Sequence, residues 1–476
     1  MPYKWLGLTL CIALLYVGLM MAKGAKESPM ESFSSIRRQL ASGGYVFVPP
    51  GDYTLARTIR LKSGTVLEGR RGCSRIIIDD TFQKGPYYPE NEFAVSNAGF
   101  SQEYDSATAD DITIRGLTFV LTKKNKDPIW CLLGMANIKK LVVEDCDFIV
   151  QGQGIGGSNI DLYAGCKNVR ITNCYIKNDT GAPYGAAVMV RSLNIDGANP
   201  HNATEQVVLA HNIIEKNGND EAIAVWGCTG RVKDVVVQNN RIKTYGRVPD
   251  VVLSAFAGEF NDCSAAQTNN VVFDGNTVTA DDLRYAIFQV GQDTDTISRL
   301  DDVTISNNKI DVKVAASDRS TVIRTIGQDN YTNIKITDNE ITNTGRVPIG
   351  YGVLGQGLVT DNVINGLFEA SIACVDTCHN NTINDNTTGT AIENVAHIRA
   401  NVINNCLVGV KCFVTGVFNV AENSINMADH GDSMGIMAID IAGSRPVVYI
   451  SGNEINTGGH YHAKILIKEE ITNWIK

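Results

Sequence analysis

Asp220 and Glu221 stand side by side in GNDEAIAVWG (218–227), just ahead of an apolar run that closes on Trp226. Neighbouring carboxyls can divide acid and base roles when their surroundings push their proton affinities apart. The same two residues can also merely close a polar turn after Asn217-Gly218-Asn219, because Asp and Asn readily hydrogen-bond nearby backbone. Comparable short segments carry Asp161 and Tyr163 (NIDLYAG), Arg191 (AAVMVRS) and Arg324 (TVIRTIG), and Arg241 and Lys243 flank Ile242. Aromatic rings lie well against sugar faces, and a guanidinium grips a carboxylate with two donors. These residue types fit a saccharide, above all one that carries a carboxylate.

An internal repeat must bring them together. VTISNNKI (303–310), IKITDNEI (334–341), VVFDGNTV (271–278), VVVQNNRI (235–242) and VVLAHNII (207–214) share one template: apolar, x, apolar, x, x, Asn, x, apolar. Alternation marks a short strand and the Asn marks its end. Copies return every ~20–40 residues, the spacing of a solenoid. None is long enough to bury a face alone, so copies must stack as parallel strands ~4.8 Å apart around a shared core. Asn240, Asn276, Asn308, Asn339, Asn362, Asn401, Asn423 and Asn453 occupy the corner, and Cys146 and Cys174 replace Asn in earlier copies. The corner Asn is expected to take the left-handed backbone and to hydrogen-bond along its column. The pattern predicts an all-β, right-handed parallel β-helix from about residue 44 to about 457. Phe33, Ile36 and Leu40 have helical spacing before Gly43, so 25–43 is read as a linker and capping helix and 458–476 as a C-terminal cap.

The strand after each corner fixes a register. With Ile160, Leu162, Val188, Val190, Ile223 and Val225 inward, Tyr163, Arg191 and Trp226 fall in one outward column. Asp161 sits beside it, with Asp220 and Glu221 at its edge. Asp161 is two rungs from Asp220, so ~10 Å separates them. That is nearer the ~6.5–9.5 Å of inverting glycosidases than the ~5–5.5 Å of retaining ones. Strict alternation sends Asp220 and Glu221 to opposite faces, which makes Asp161 the expected partner.

The net charge of −9, with no basic stripe, excludes a nucleic-acid partner. Lys4, the apolar run Trp5–Met21 and Ala22-Lys23-Gly24 read as an export signal over 1–24, with an uncleaved anchor as the competing reading. Either way the chain is expected to be secreted or held at the cell surface, touching a membrane only through that segment. The twelve cysteines include no CxxC pair and read mainly as small buried hydrophobes. No cofactor is expected. Calcium is the open option, since Glu144, Asp145 and Asp147 crowd one segment, although alternation splits them between faces.

The stretch VFVPPGDYTL…IRLKSGTVLEGRRGCSRIII resembles the opening motif of the pectate-lyase-like β-helix superfamily, and the likeness extends over nearly all of the chain after the export segment. The resemblance implies a carbohydrate-active protein of hydrolase or lyase type acting on an acidic polysaccharide. Within that superfamily, Asn159-Ile160-Asp161, Asp220-Glu221 and Arg241-Ile242-Lys243 look like parts of the polygalacturonase pattern, but its Gly-His-Gly is missing. The candidate catalytic residues are therefore Asp161, Asp220, Glu221 and Arg191, with Tyr163, Trp226, Arg241, Lys243 and Arg324 as substrate contacts. A lyase would draw on Arg191, Lys243 or Arg324 to neutralise a uronic carboxylate. The alternative is a glycan-binding or structural β-helix without chemistry, such as an adhesin or a tailspike-like part. Tailspike members of the superfamily generally assemble as trimers, so a homotrimer would point to that alternative.

Overall fold

A computed structural model describes residues 31–468 except for short internal segments, the longest being 101–108, 193–202, 259–265, 440–446 and 457–464. The export segment and most of the expected C-terminal cap lie outside the described residues. Three parallel sheets of sixteen, fifteen and fifteen strands run the length of the molecule, here called A, B and C. Each turn of the chain visits B, then A, then C. One such rung comprises Thr204–Ala210 in B, Ile213–Asn217 in A and Ile223–Gly227 in C, before Arg231–Gln238 returns to B. The architecture is a right-handed parallel β-helix.

Alternation explains the packing. Ile223 and Val225 point into one continuous core that runs from Phe33 to Val448. In register with them lie Val188 and Val190 on one side and Leu253 and Ala255 on the other. Phe119 and Phe148 stack inside it at 5.2 Å. The helix Ser34–Leu40 seats Phe33, Ile36 and Leu40 on this core. Gly43 (φ 74°) ends it, its N–H donating to Leu40 O at 3.1 Å. The helix thus covers apolar surface that the first rung would leave open.

The B-to-A corner is tight and holds the asparagine column. From Asn212 through Asn240, Asn276, Asn308, Asn339, Asn362, Asn381, Asn401 and Asn423 to Asn453, each Nδ2 donates to the next Oδ1 at 2.8–3.1 Å. The backbone N–H donates to that same oxygen at 2.9–3.0 Å. Asn212 and Asn381 extend the expected column. One detail differs from expectation. The left-handed residue is the one before each ladder Asn: His211, Asn239, Asn307, Asp338, Asn380 and their equivalents, all with φ of 53–63°. The preceding residue makes the bend, which leaves the Asn side chain free to face inward and bond along the axis. Cys146 and Cys174 fill the same corner, and burial pushes the Cys174 thiol up to about 12. The described cysteines carry no disulfide.

Candidate active site on sheet C

The B-to-A corner spends only two residues, His211 and Asn212 in the rung of the acid pair, and has no room for a site. The A-to-C corner of that rung spans 218–222 and carries Asp220 and Glu221. The strand begins only at Ile223, so alternation does not govern the pair. Contrary to the expectation of opposite faces, both line one depression of about 510 Å³. Asp250, Phe256, Arg284, Tyr285, Gln289 and Gln292 line it as well.

The carboxyls are held differently. Asp220 Oδ2 accepts from the Gly185 N–H. Burial raises its pKa, while the Gly185 donor and Lys216 act against that rise. Glu221 Oε1 accepts from Ser254 Oγ at 3.1 Å. Burial, and then repulsion from Asp220, push the Glu221 carboxyl up to about 7. Near neutral pH such a group can still give a proton. Asp250 is engaged by Arg284 at 3.0 Å, and Arg284 Nη1 also reaches Asn219 Oδ1 at 3.2 Å. Arg324 stands next in register to Gln289 and stacks on the Tyr285 ring, 4.5 Å from its centre. Gln289 Nε2 donates to Gly291 O at 3.0 Å, but its Oε1 is buried without a partner.

The outward column exists as the register required. Arg191 pairs with Trp226, and Trp226 with Phe256. Asp161 aligns with Met189, and Met189 with Ala224. The end nearest the N-terminus, however, is closed. Asp161 is completely buried, and Arg191 is only 6% exposed. Arg191 Nε donates to Asp161 Oδ1 at 3.1 Å and Nη2 to Oδ2 at 2.7 Å, while Trp130 Nε1 donates to Oδ2 at 3.2 Å. The guanidinium lies 3.9 Å from the centre of the Tyr163 ring. Phe93 and Phe100 pack over Tyr163, at 6.1 and 5.7 Å between ring centres. Burial works against the Arg191 charge, and Asp161 and Tyr163 overcome it, holding the group above its usual range. Asp161 and Arg191 therefore do not face an open groove. They form a satisfied ion pair beneath an aromatic roof that the strand pattern around residue 161 did not disclose.

Arg241 and Lys243 are displaced from the site altogether. Both are exposed on sheet A, in the strand Arg241–Thr244. Trp226 borders the depression through Phe256 and is tied down by its Nε1–H, which donates to Gly258 O at 2.6 Å. The acidic segment considered for calcium is dispersed. Asp147 Oδ1 lies 2.7 Å from Arg71 Nε and its Oδ2 accepts from Thr118, while Glu144 lies 3.9 Å from Arg115. Among the described residues no three His, Cys, Asp or Glu side chains converge on a metal position.

Several site residues went unseen in the sequence. Ser254, Phe256 and Gln289 occupy outward positions of VVLSAFAG and YAIFQVG, so the register already aimed them at this face. Asp250 and Tyr285 sit, like Asp220, in A-to-C corners, where no alternation flags them.

Comparison with solved structures places the architecture. The N-terminal fragment of bacteriophage Phi29 gene product 12 superposes with a TM-score of 0.58 at 15% identity, over 93% of this chain and 73% of that one. The chain has the pectate-lyase-like parallel β-helix fold. The tailspike protein of E. coli bacteriophage HK620, solved with a pentasaccharide, superposes with a TM-score of 0.52 at 13% identity, over 93% and 74% of the two chains. The Streptococcus pneumoniae surface protein and adhesin PfbA is also similar, at 16% identity over 95% and 98% of the chains, with a TM-score of 0.44. No protein-family model matches, and no curated protein matches. Among the described residues no helix is long and apolar enough to cross a membrane.

Proposed function

We propose that the chain is a carbohydrate-active β-helix protein that holds a saccharide against sheet C and hydrolyses it. Glu221 serves as proton donor, and Asp220 as the carboxylate that activates water. The observation that carries this is the acid pair itself: two carboxyls line one depression, and burial holds the Glu221 carboxyl at about 7, so that a share of it is still protonated near neutrality. Gln289 Oε1 offers a vacant acceptor for a sugar hydroxyl, and Tyr285 and Phe256 supply ring faces. By analogy of fold, the tailspike solved with a pentasaccharide supports a saccharide as the ligand class. A lyase is the weaker reading. Of its expected cations, Arg191 is spent on Asp161 and Lys243 lies on sheet A, while Arg324 stacks on the Tyr285 ring beside the depression. The same proposal puts the protein outside the cell or on its surface, either free or anchored by Trp5–Met21, with a homotrimer to be checked by sedimentation.

The test incubates the protein with acidic and neutral polysaccharides, with and without a calcium chelator. New reducing ends that vanish in Glu221→Gln are expected. An unsaturated uronate product would make the enzyme a lyase. Binding with no product would leave a glycan-binding β-helix, the non-catalytic alternative.

A further inference from the structure

Behind the acid pair lies a cation that the proposed reaction has not used. Lys216 belongs to the sheet A strand Ile213–Asn217, where burial alternates so that Ile214 and Lys216 face inward. Its side chain is fully buried, and its Nζ has no hydrogen-bond partner. Its neighbours in register, Asn178 and Thr244, bring no charge. The next two residues in the same column are Ala280 and Val312. An aliphatic side chain thus satisfies this position elsewhere, and a buried ammonium without hydrogen bonds is costly. The lysine stands in the rung whose following corner carries Asp220 and Glu221, and those two carboxyls act on its charge.

We propose that Lys216 is a positioning residue for the acid pair, its buried ammonium setting how many protons Asp220 and Glu221 hold, so that one carboxyl remains an acid while the other remains a base. This deepens the hydrolytic reading above and rests on it. Burial favours the protonated form of both carboxyls, and Asp250 adds repulsion on Asp220. Against that stand the Gly185 N–H and then Lys216 on Asp220, and the Glu221 backbone N–H, the Ser254 hydroxyl and then Lys216 on Glu221. Lys216 is the full positive charge among them. Without it both carboxyls would keep their protons to higher pH, and the base would be lost first where it is needed. Asp250 is itself held by Arg284, so that arginine does not substitute for the lysine.

The test uses Lys216→Met, which keeps an unbranched side chain one atom shorter and removes the charge. On a hydrolysed saccharide, the acidic limb of the pH–rate profile should move upward by on the order of one pH unit. Independently of turnover, the pH window in which Glu221 alters stability should move upward as well, and Glu221→Gln should abolish that movement. Should Lys216→Met not fold, Glu221→Gln and Asp220→Asn are made with Lys216 in place. The alkaline gain in stability that accompanies deprotonation of Lys216 should then begin at lower pH. An unmoved profile and an unmoved stability window would overturn the proposal, leaving Lys216 as mere filler of the core. Windows that move while every saccharide goes uncleaved would sustain the electrostatic role and refute the hydrolytic reading instead.

Discussion

Removing the Asp161 carboxylate should cost the protein stability before it costs any chemistry. The carboxylate is completely buried and accepts three hydrogen bonds, two from Arg191 and one from Trp130. Asp161→Ala strands a guanidinium that has 6% exposure and a tyrosine ring on one side. Taking one partner from a buried ion pair costs about 3–5 kcal/mol. Arg191→Ala should cost a similar amount, since it strands the carboxylate instead. The double variant Asp161→Leu/Arg191→Met removes both charges and keeps apolar volume, so it should return to within about 1–2 kcal/mol of the parent. Urea titrations followed by tryptophan fluorescence suit the measurement, because Trp130 touches the pair. Hydrogen exchange across the strand Ile160–Ala164 would show whether the loss is local, as a stack of repeats permits. Suppose Asp161→Ala changed stability by less than about 0.5 kcal/mol while saccharide turnover disappeared. The buried-pair argument would then be wrong, and Asp161 would be a catalytic group after all.

The inner asparagine column gives a second stability test. Asn308→Ala should cost about 3 kcal/mol, since it removes the acceptor for two Asn276 donors and the donor to Phe273 O, all buried. Asn384→Ala breaks a similar but half-exposed ladder, Asn365–Asn384–Asn404, where water can substitute, and should cost under about 1 kcal/mol; equal melting shifts would refute the distinction. Glu221 has a folded pKa near 7 against about 4.5 unfolded, so the folded state binds more protons between those values and stability should fall as pH rises through them. The loss is on the order of 1–3 kcal/mol after allowance for its partial exposure, and a denaturation series should show it flattened in Glu221→Gln. Lys216 runs the other way at alkaline pH: its pKa near 8 should make stability rise between about pH 8 and 10.5, checked by the same series in Lys216→Met. For chemistry, Glu221→Gln should slow hydrolysis by about 10²–10⁴-fold with an intact fold by circular dichroism. Phe256→Ala should weaken saccharide binding by roughly tenfold, read by titration calorimetry.

The fold was legible because its cause is local and repeated. Each strand that alternates around an inward Ile or Val states its own register, and the stacked template makes those registers agree from Val169 to Val448. The outward column of Tyr163, Arg191, Trp226 and Phe256 followed from that agreement. Three features escaped for definite reasons. Whether an outward residue meets solvent depends on segments far away in the chain; Phe93, Phe100 and Trp130 close over Asp161 from earlier rungs, and no periodicity near residue 161 announces them. Asp220 and Glu221 lie in a corner, where the backbone is free of the two-residue period, so extending alternation to them sent them to opposite faces when they share one. Arg241-Ile242-Lys243 drew attention as a motif, although its place directly after the ladder residue Asn240 already put it on sheet A. Lys216 is the contrary case. The same alternation that turns Ile214 inward turns Lys216 inward too, so the sequence held a buried lysine in plain view two positions past an inward isoleucine. In a solenoid, then, a charged residue at an inward position carries more information than a charged motif at an outward one. The inward charge must be compensated by something nearby, and what stands nearby here is the acid pair.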